Sequence, residues 1–263
     1  MGITDVPSWP TWLVLTFFAV VALMVMFGAR LALTRSHDRE RRAELAGLAD
    51  SMNGPVGASL AFLVGFAVTI TWTTMSSAQS SIEKIAAQSQ QMALLAGGVL
   101  TPAESDKVAQ DLATYLRVVA DQDSVVLATG EVPEMPSFGP LETLETDVRE
   151  LERTPRSGND AAQVAALHND VVQLAETQAE LNAVARRGLP SVVLQLLILT
   201  GSLSAATVGM LAVGIRRPYL IVGWALVIAM GLTVVIALYD PFSGSVSVTY
   251  DPITDAAQRI VHR

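Results

Sequence analysis

The sequence predicts an all-α membrane protein: four transmembrane helices in a 2+2 layout, with an extramembrane helical bundle between spans two and three. Three observations carry that prediction. Four apolar segments, at residues 12–33, 55–74, 189–215 and 219–239, each approach the roughly 20 residues that cross a hydrocarbon core. A polar stretch of about 115 residues lies between the second and third, with its apolar residues at helical 3–4 spacing. Only 16% of the 263 residues are charged while 51% are hydrophobic, too few charges for a soluble domain, where roughly 25% is usual. The boundaries that follow are an N-terminal tail at 1–11, helices one and two at 12–74 with a short charged loop at 34–54, the bundle at 75–188, a transmembrane hairpin at 189–239 and a C-terminal tail at 240–263.

Span one has no basic residue ahead of it. Residues 1–11 hold no Lys or Arg, whereas Arg30, Arg35, Arg39, Arg41 and Arg42 follow the apolar run or close it. That order predicts a retained anchor helix rather than a cleaved signal peptide. Trp9, Trp12, Trp72, Tyr219 and Tyr239 fall at or near span ends, as an interfacial aromatic belt requires. Trp224 lies deeper and is assigned to packing.

Span two reads GASLAFLVGFAVTITWT over 57–73. Gly57, Ala61 and Gly65 recur at intervals of four, and Thr69 continues the series. Ala58, Phe62 and Phe66 form a second stripe one position on. Positions four apart share a helix face, so one stripe admits close approach of another backbone while the other could line a narrow apolar constriction. Small residues recur in span three (Gly201, Ala205, Gly209) and span four (Gly223, Gly231) as further helix-packing positions. The Arg216-Arg217-Pro218 turn joins these two spans into an antiparallel hairpin.

In the polar middle, span two is expected to continue out of the membrane with Ile82, Ile85, Met92 and Leu95 on one face. Thr101-Pro-Ala-Glu104 is a capping box with proline at the first helical position, where its missing N–H costs nothing. It opens a helix that turns Val108, Leu112, Tyr115 and Val119 inward. Residues 130–140 are read as a proline-rich loop. Leu141, Leu144, Val148 and Leu151 then keep helical spacing. After a break at 154–160 comes a seam of Val164, Leu167, Val171, Leu174, Gln178, Leu181 and Ala185, bundle-like with one polar break. The 17 acidic and 8 basic residues of 75–188 make this domain acidic, which fits a solvated surface and could also draw cations toward a vestibule. Beyond span four, Asp-Pro ends the helix, 245–250 alternates at period two as an extended segment, and 253–261 suggests a short helix.

Several functions are excluded. With no cysteine and three scattered histidines (His37, His168, His262), no metal site or cofactor is implied. No enzyme motif is present, and none of the four spans carries the mid-membrane ionisable group of a coupled carrier. A net charge of −8 argues against nucleic acid as a partner; the partners implied are the lipid bilayer and either further copies of the chain or another membrane protein.

FLVGFAVT at 62–69 resembles the pore-helix sequence of bestrophins, RLALT at 30–34 is also bestrophin-like, and Pro241, Phe242 and Gly244 after Asp240 resemble the Pro-Phe-x-Gly that follows the last bestrophin span. Over residues 12–260 the chain resembles the bestrophin-like family of bacterial four-span membrane proteins. The resemblance implies an ion channel of pentameric form with span two lining the pore, with Phe62 and Phe66 as neck residues and Ala58 at a third neck position, where alanine widens the neck. It also implies no calcium clasp, because SGSVSVTYD replaces the acidic run that forms one. Lys and Arg near the spans are biased seven to four toward the 34–54 and 216–217 side, which places both termini and the helical domain outside the cytoplasm; the resemblance would place them inside, and the bias of this chain is preferred. The sequence thus predicts a channel in a bacterial cell membrane. The competing expectation is a non-conducting scaffold or accessory subunit that binds a partner through its acidic bundle.

Overall fold

Helix is the one regular structure among the described residues, which are 10–35, 39–129, 135–156, 158–186, 189–214, 219–239, 241–243 and 246–262 of a computed structural model. The elements are α1 (Thr11–Arg35), α2 (Arg39–Val99), α3 (Pro102–Val118), a π-helical turn (Val119–Asp123), α4 (Ser124–Thr129), α5 (Phe138–Arg153), α6 (Gly158–Ala185), α7 (Ser191–Leu211), a 3-10 turn (Ala212–Gly214), α8 (Tyr219–Ala237) and α9 (Asp251–Val261). They form two units. The first comprises Met1–Thr73, Gly188–Asp240 and Gly244–Val246; the second comprises Thr74–Arg187, Pro241–Ser243 and Ser247–Arg263.

In the first unit, α1, α2 and α7 are each long and apolar enough to cross a membrane, and the apolar part of α8 is shorter, Ile221–Ala237. α1 packs against both α7 and α8, and α7 packs against α8. The shared core includes Ala22, Met26, Leu60, Ala67, Leu197, Ala205, Ile228 and Leu232. Of the described glycines, Gly209 has the tightest surroundings: an added Cβ would stand 2.3 Å from the Met26 carbonyl oxygen and 2.8 Å from its Cα. Only a residue without a Cβ allows the α1 backbone that close. Gly201 is buried in ordinary contact with Leu232, Ile228 and Leu60, and Gly231 lies against Val64.

Three expectations need correction here. The segment read as a loop at 34–54 is helical from Arg39, and α2 runs through Pro55 without ending. Proline removes the N–H that would bond the carbonyl four residues back and crowds that turn, but sixteen helical residues, mostly good helix formers and small residues, precede it and a long apolar run follows. Trp224, assigned to packing, is exposed on its unit, as are Trp12, Trp72 and Tyr219. Gly223, expected as part of a packing stripe, has no atom within 4 Å of where a Cβ would sit. Trp9, His37, Arg216, Arg217 and Pro218 lie outside the described residues.

The second unit is a helical bundle with a conventional hydrophobic core. From α2 come Ile82, Ile85 and Met92, with Leu95 packed at the margin; from α3, Val108, Leu112 and Tyr115; from α5, Leu141, Leu144 and Val148. The α6 seam is buried as its spacing predicts, from Val164 through Leu181, Gln178 included. α9 adds Ile253, Ala256 and Ile260 and packs on α3. The capping box forms at Thr101: its N–H and hydroxyl both donate to the Glu104 carboxylate, at 3.0 and 2.9 Å, and Arg156 reaches the other carboxylate oxygen at 2.7 Å. The bond from the Thr101 backbone is the chief reason the Glu104 carboxyl sits below its usual range. α5 begins at Phe138, inside the stretch expected to be loop, with Pro140 at its third position, where a helix still has no intrahelical use for an N–H.

The Gly209 contact gives a stability test. Gly209→Ala is expected to lower the thermal stability of the detergent-solubilised protein by about 1–3 kcal/mol through overpacking against Met26, while Gly223→Ala leaves it unchanged or raises it by a few tenths to about 1 kcal/mol. Thermal unfolding of the two variants side by side checks this.

Candidate functional site

Within its unit, α2 buries one face and leaves another open. Val56, Leu60, Ala67 and Thr71 are buried, with Leu63 and Val64 packed partly against the same core. Ala58, Ala61, Phe62, Gly65 and Phe66 are exposed and Gly57 is half-buried. A Cβ on Gly57 or Gly65 would meet nothing within 4 Å. Among the described residues, Gly57 and Gly65 thus have no close neighbour on their Cβ side and Ala61 is exposed, while Leu60, Ala67 and Thr71 make the contacts of α2 with its own unit. Phe62 is 70% exposed and Phe66 46%. Their rings lie parallel, 8° apart in plane, with centroids 6.2 Å apart, stacked along the helix as i, i+4 aromatics can be. No charged side chain interrupts 57–73, so the open face is a run of small and aromatic groups with threonines at its end.

In the second unit the sequence reading missed a buried polar network. Asp123, at the end of the π turn, is fully buried. Its carboxylate accepts the backbone N–H of Ser137 at 3.0 Å and the Gln178 amide at 3.0 Å. The same amide nitrogen donates to the Ser137 hydroxyl at 3.2 Å, and the Tyr115 hydroxyl donates to the Gln178 carbonyl at 2.8 Å. All four residues are buried. Asp123 thus places a carboxylate at the N-terminus of α5, where the helix dipole favours negative charge. Burial raises its carboxyl above the usual range against the pull of those hydrogen bonds. The Tyr115 and Tyr250 hydroxyls are pushed up by burial and then by the Asp123 charge; the Tyr250 oxygen is buried without a hydrogen-bond partner.

A pair of carboxyls between α3 and α5 is more open. Lys107 on α3 bonds Asp147 on α5 at 2.7 Å, which holds the Asp147 carboxyl low. Asp111, one turn after Lys107, is pushed up to about 6 by burial first and by its hydrogen bond and charge contact with Asp147 next. Among the described residues no group of His, Cys, Asp or Glu is arranged to hold a metal.

The bestrophin-like domain family matches residues 16–253. The chain belongs to the bestrophin-like family. Solved structures agree on the fold. A bestrophin homolog from Klebsiella pneumoniae, in one point variant, superposes with a TM-score of 0.72 at 12% identity, over 94% of this chain and 97% of that one. A second variant of the same homolog gives 0.71 at 13%, over 93% and 96%. A crystal structure described as a membrane protein gives 0.71 at 12%, over 94% and 96%. No curated protein matches the sequence.

The segment after α8 expected to resemble the bestrophin Pro-Phe-x-Gly packs into the second unit in its described part. Phe242 is buried in the core of the second unit, and the Pro241 carbonyl accepts the Val248 N–H at 2.9 Å. Asp240 and Gly244 lie outside the described residues. The segment at 247–250, expected to be extended, is neither helix nor strand, and the helix expected after it is α9. The one hint of the buried network in the sequence was Gln178, the polar break in the α6 seam.

The Asp111 carboxyl gives a pH test with a definite sign. A carboxyl whose folded pKa is raised favours the folded state below the unfolded pKa and loses that contribution as pH rises toward the folded value. The stability of the wild type relative to Asp111→Asn is therefore expected to fall between about pH 4 and 6, then level off. Chemical unfolding of both proteins across that range reads it directly.

Proposed function

We propose that this bestrophin-like protein is a homo-oligomeric ion channel in which α2 of each copy lines the pore, with Phe62 and Phe66 forming the constriction and Ala58 a wider ring beside it. One observation carries the reading: α2 leaves a charge-free face uncovered by its own chain, and that face bears the stacked phenylalanines. A water-filled path between copies gives such a face a place that lipid or a monomer's core does not explain as well, and an apolar ring can gate it by dewetting. Gly57, Ala61 and Gly65 sit on the flank of that face and let neighbouring backbones approach. The resemblance to bestrophins adds the pentamer.

The proposed membrane layout is four spans in a 2+2 arrangement. At 1.5 Å per residue the 19 residues of α8 reach about 28 Å, close to the roughly 30 Å hydrocarbon core, so α8 serves as the fourth span. The charge bias around the spans supports an orientation with the helical domain outside the cytoplasm.

Two experiments test this. Purified protein in planar bilayers is expected to conduct, to be oligomeric by native mass, and to show a higher unitary conductance in Phe62→Ala and Phe66→Ala; a silent, stable oligomer would leave the scaffold reading in its place. Because the chain has no cysteine, a single Glu142→Cys on exposed α5 reports orientation cleanly. It is expected to react with a membrane-impermeant maleimide in intact cells, and protection until lysis would reverse the orientation.

A further inference from the structure

The second unit carries a cavity of about 790 Å³ between the end of α2, one face of α3 and the last turn of α9. That volume falls within the roughly 300–1,000 Å³ usual for small-molecule sites. Its apolar wall is Ala93 and Leu94 of α2, Ala109 and Ala113 of α3, and Ile260 and Val261 of α9. Gly98 also borders it, and a Cβ there would meet nothing within 4 Å. Leu94 is 56% exposed and Val261 51%, large apolar groups left to water on an otherwise solvated bundle. Arg117, two turns past Ala109 on the same face of α3, lines the cavity too. Arg259 lines a smaller hollow of about 100 Å³ that shares Ala93, Leu94 and Ile260 with it. Two arginines therefore flank one apolar wall. Among the described residues neither makes an ion pair or a side-chain hydrogen bond, although Asp121 and Asp255 stand four positions away in the chain. The acid on the cavity is Asp106, also without an ion pair, and it lies about 16 Å from Arg117 along the helix. In a stretch with 17 acidic and 8 basic residues over 75–188, Arg117 could have been paired and is not.

We propose that this cavity binds a small organic monoanion with an apolar body, its carboxylate on Arg117 and its body against Leu94, Ile260 and Val261. A guanidinium presents parallel donors that match the two oxygens of a carboxylate. The body gains by leaving water for the wall, and the small groups Gly98, Ala109 and Ala113 leave it room. Asp106 fixes the direction: a carboxylate beside it would meet like charge, so the head belongs at the Arg117 end. A neutral ligand of the same shape would leave both guanidinium groups unused, and a cationic one would meet them as like charges.

The test is equilibrium dialysis of 2-naphthoate against the full-length protein in lipid nanodiscs, with empty nanodiscs as the blank. One saturable site per chain is expected, about tenfold or more tighter for 2-naphthoate than for the neutral 2-naphthamide, as loss of a hydrogen bond to a charged group implies. Arg117→Gln together with Arg259→Gln is expected to abolish that difference while keeping amide binding. Arg117→Glu is expected to reverse the preference, toward 2-naphthylmethylammonium. Arg153→Gln, at an exposed arginine that borders neither hollow, is expected to bind like the wild type. Ala109→Leu, which takes up the space of the body, is expected to lose all three probes, with thermal unfolding to confirm its fold; Gly98→Leu replaces it if it does not fold. A wild type with no saturable binding, the result if a neighbouring copy covers the cavity, overturns the proposal. So does equal affinity for acid and amide, or an arginine double variant that still prefers the acid. Binding is the whole readout, so the result leaves the reading of α2 as a pore helix standing or falling on its own test.

Discussion

A backbone amide in hydrocarbon can send its hydrogen bond nowhere but along its own helix, and once every helix has satisfied itself, lipid contact is as apolar as helix contact. What brings such helices together is fit. The first unit follows from that constraint. α1 meets α7 where Gly209 lets the Met26 backbone come within van der Waals distance, and the remaining contacts of Gly201, Ala205 and Ile228 are set by how close that meeting allows the helices to lie. The same constraint explains how α2 can expose two phenylalanines: in this setting an uncovered apolar face carries no penalty until water reaches it. The face can therefore be held open for neighbours without unfolding the unit that bears it.

The second unit obeys the opposite rule. Its helices gain from burying apolar surface, and the seam of α6 does so at nearly every inward position. Thr177 and Asn182 are buried beside the seam, and the polar exception within it is Gln178. In a dry core an amide must find partners for both of its ends, and here its nitrogen serves Asp123 and Ser137 while its oxygen takes the Tyr115 hydroxyl. The network joins α3, the π turn, the start of α5 and α6. It fixes their register more narrowly than leucines would, since a slip that a leucine tolerates would strand a buried carboxylate.

What the sequence made legible was local or strongly periodic. The Thr101–Glu104 box depends on residues three apart, and the α6 seam on a spacing sustained through the helix. Long-range pairings were not legible: Asp123 and Gln178 are 55 positions apart, and neither residue type announces the other. The π turn was hidden for another reason. Tyr115, Val119, Asp123 and Leu127 are all buried, a run of fours that a 3.6-residue period would carry off the inner face. In span two the residue types were plain but the direction each face took was not. From 57 to 73 polarity does not distinguish one side of the helix from another, so nothing in the sequence could say that Leu60 faces the chain's own core and Phe62 faces away.

The π turn also bears on how the chain can vary in length. An extra residue in an α-helix rotates every later side chain by about 100°, which in α3 would turn Leu112 or Tyr115 out of the core. A π turn is a helix that has already absorbed such a residue. Residues 119–123 are therefore a place where length and phase are uncoupled: losing one residue there can be met by rewinding to α, with Leu127 still inward. Relatives of this protein that differ by one residue in the bundle have a site at which to differ while keeping one architecture, and the cost falls on the one position the turn serves, the carboxylate beneath α5.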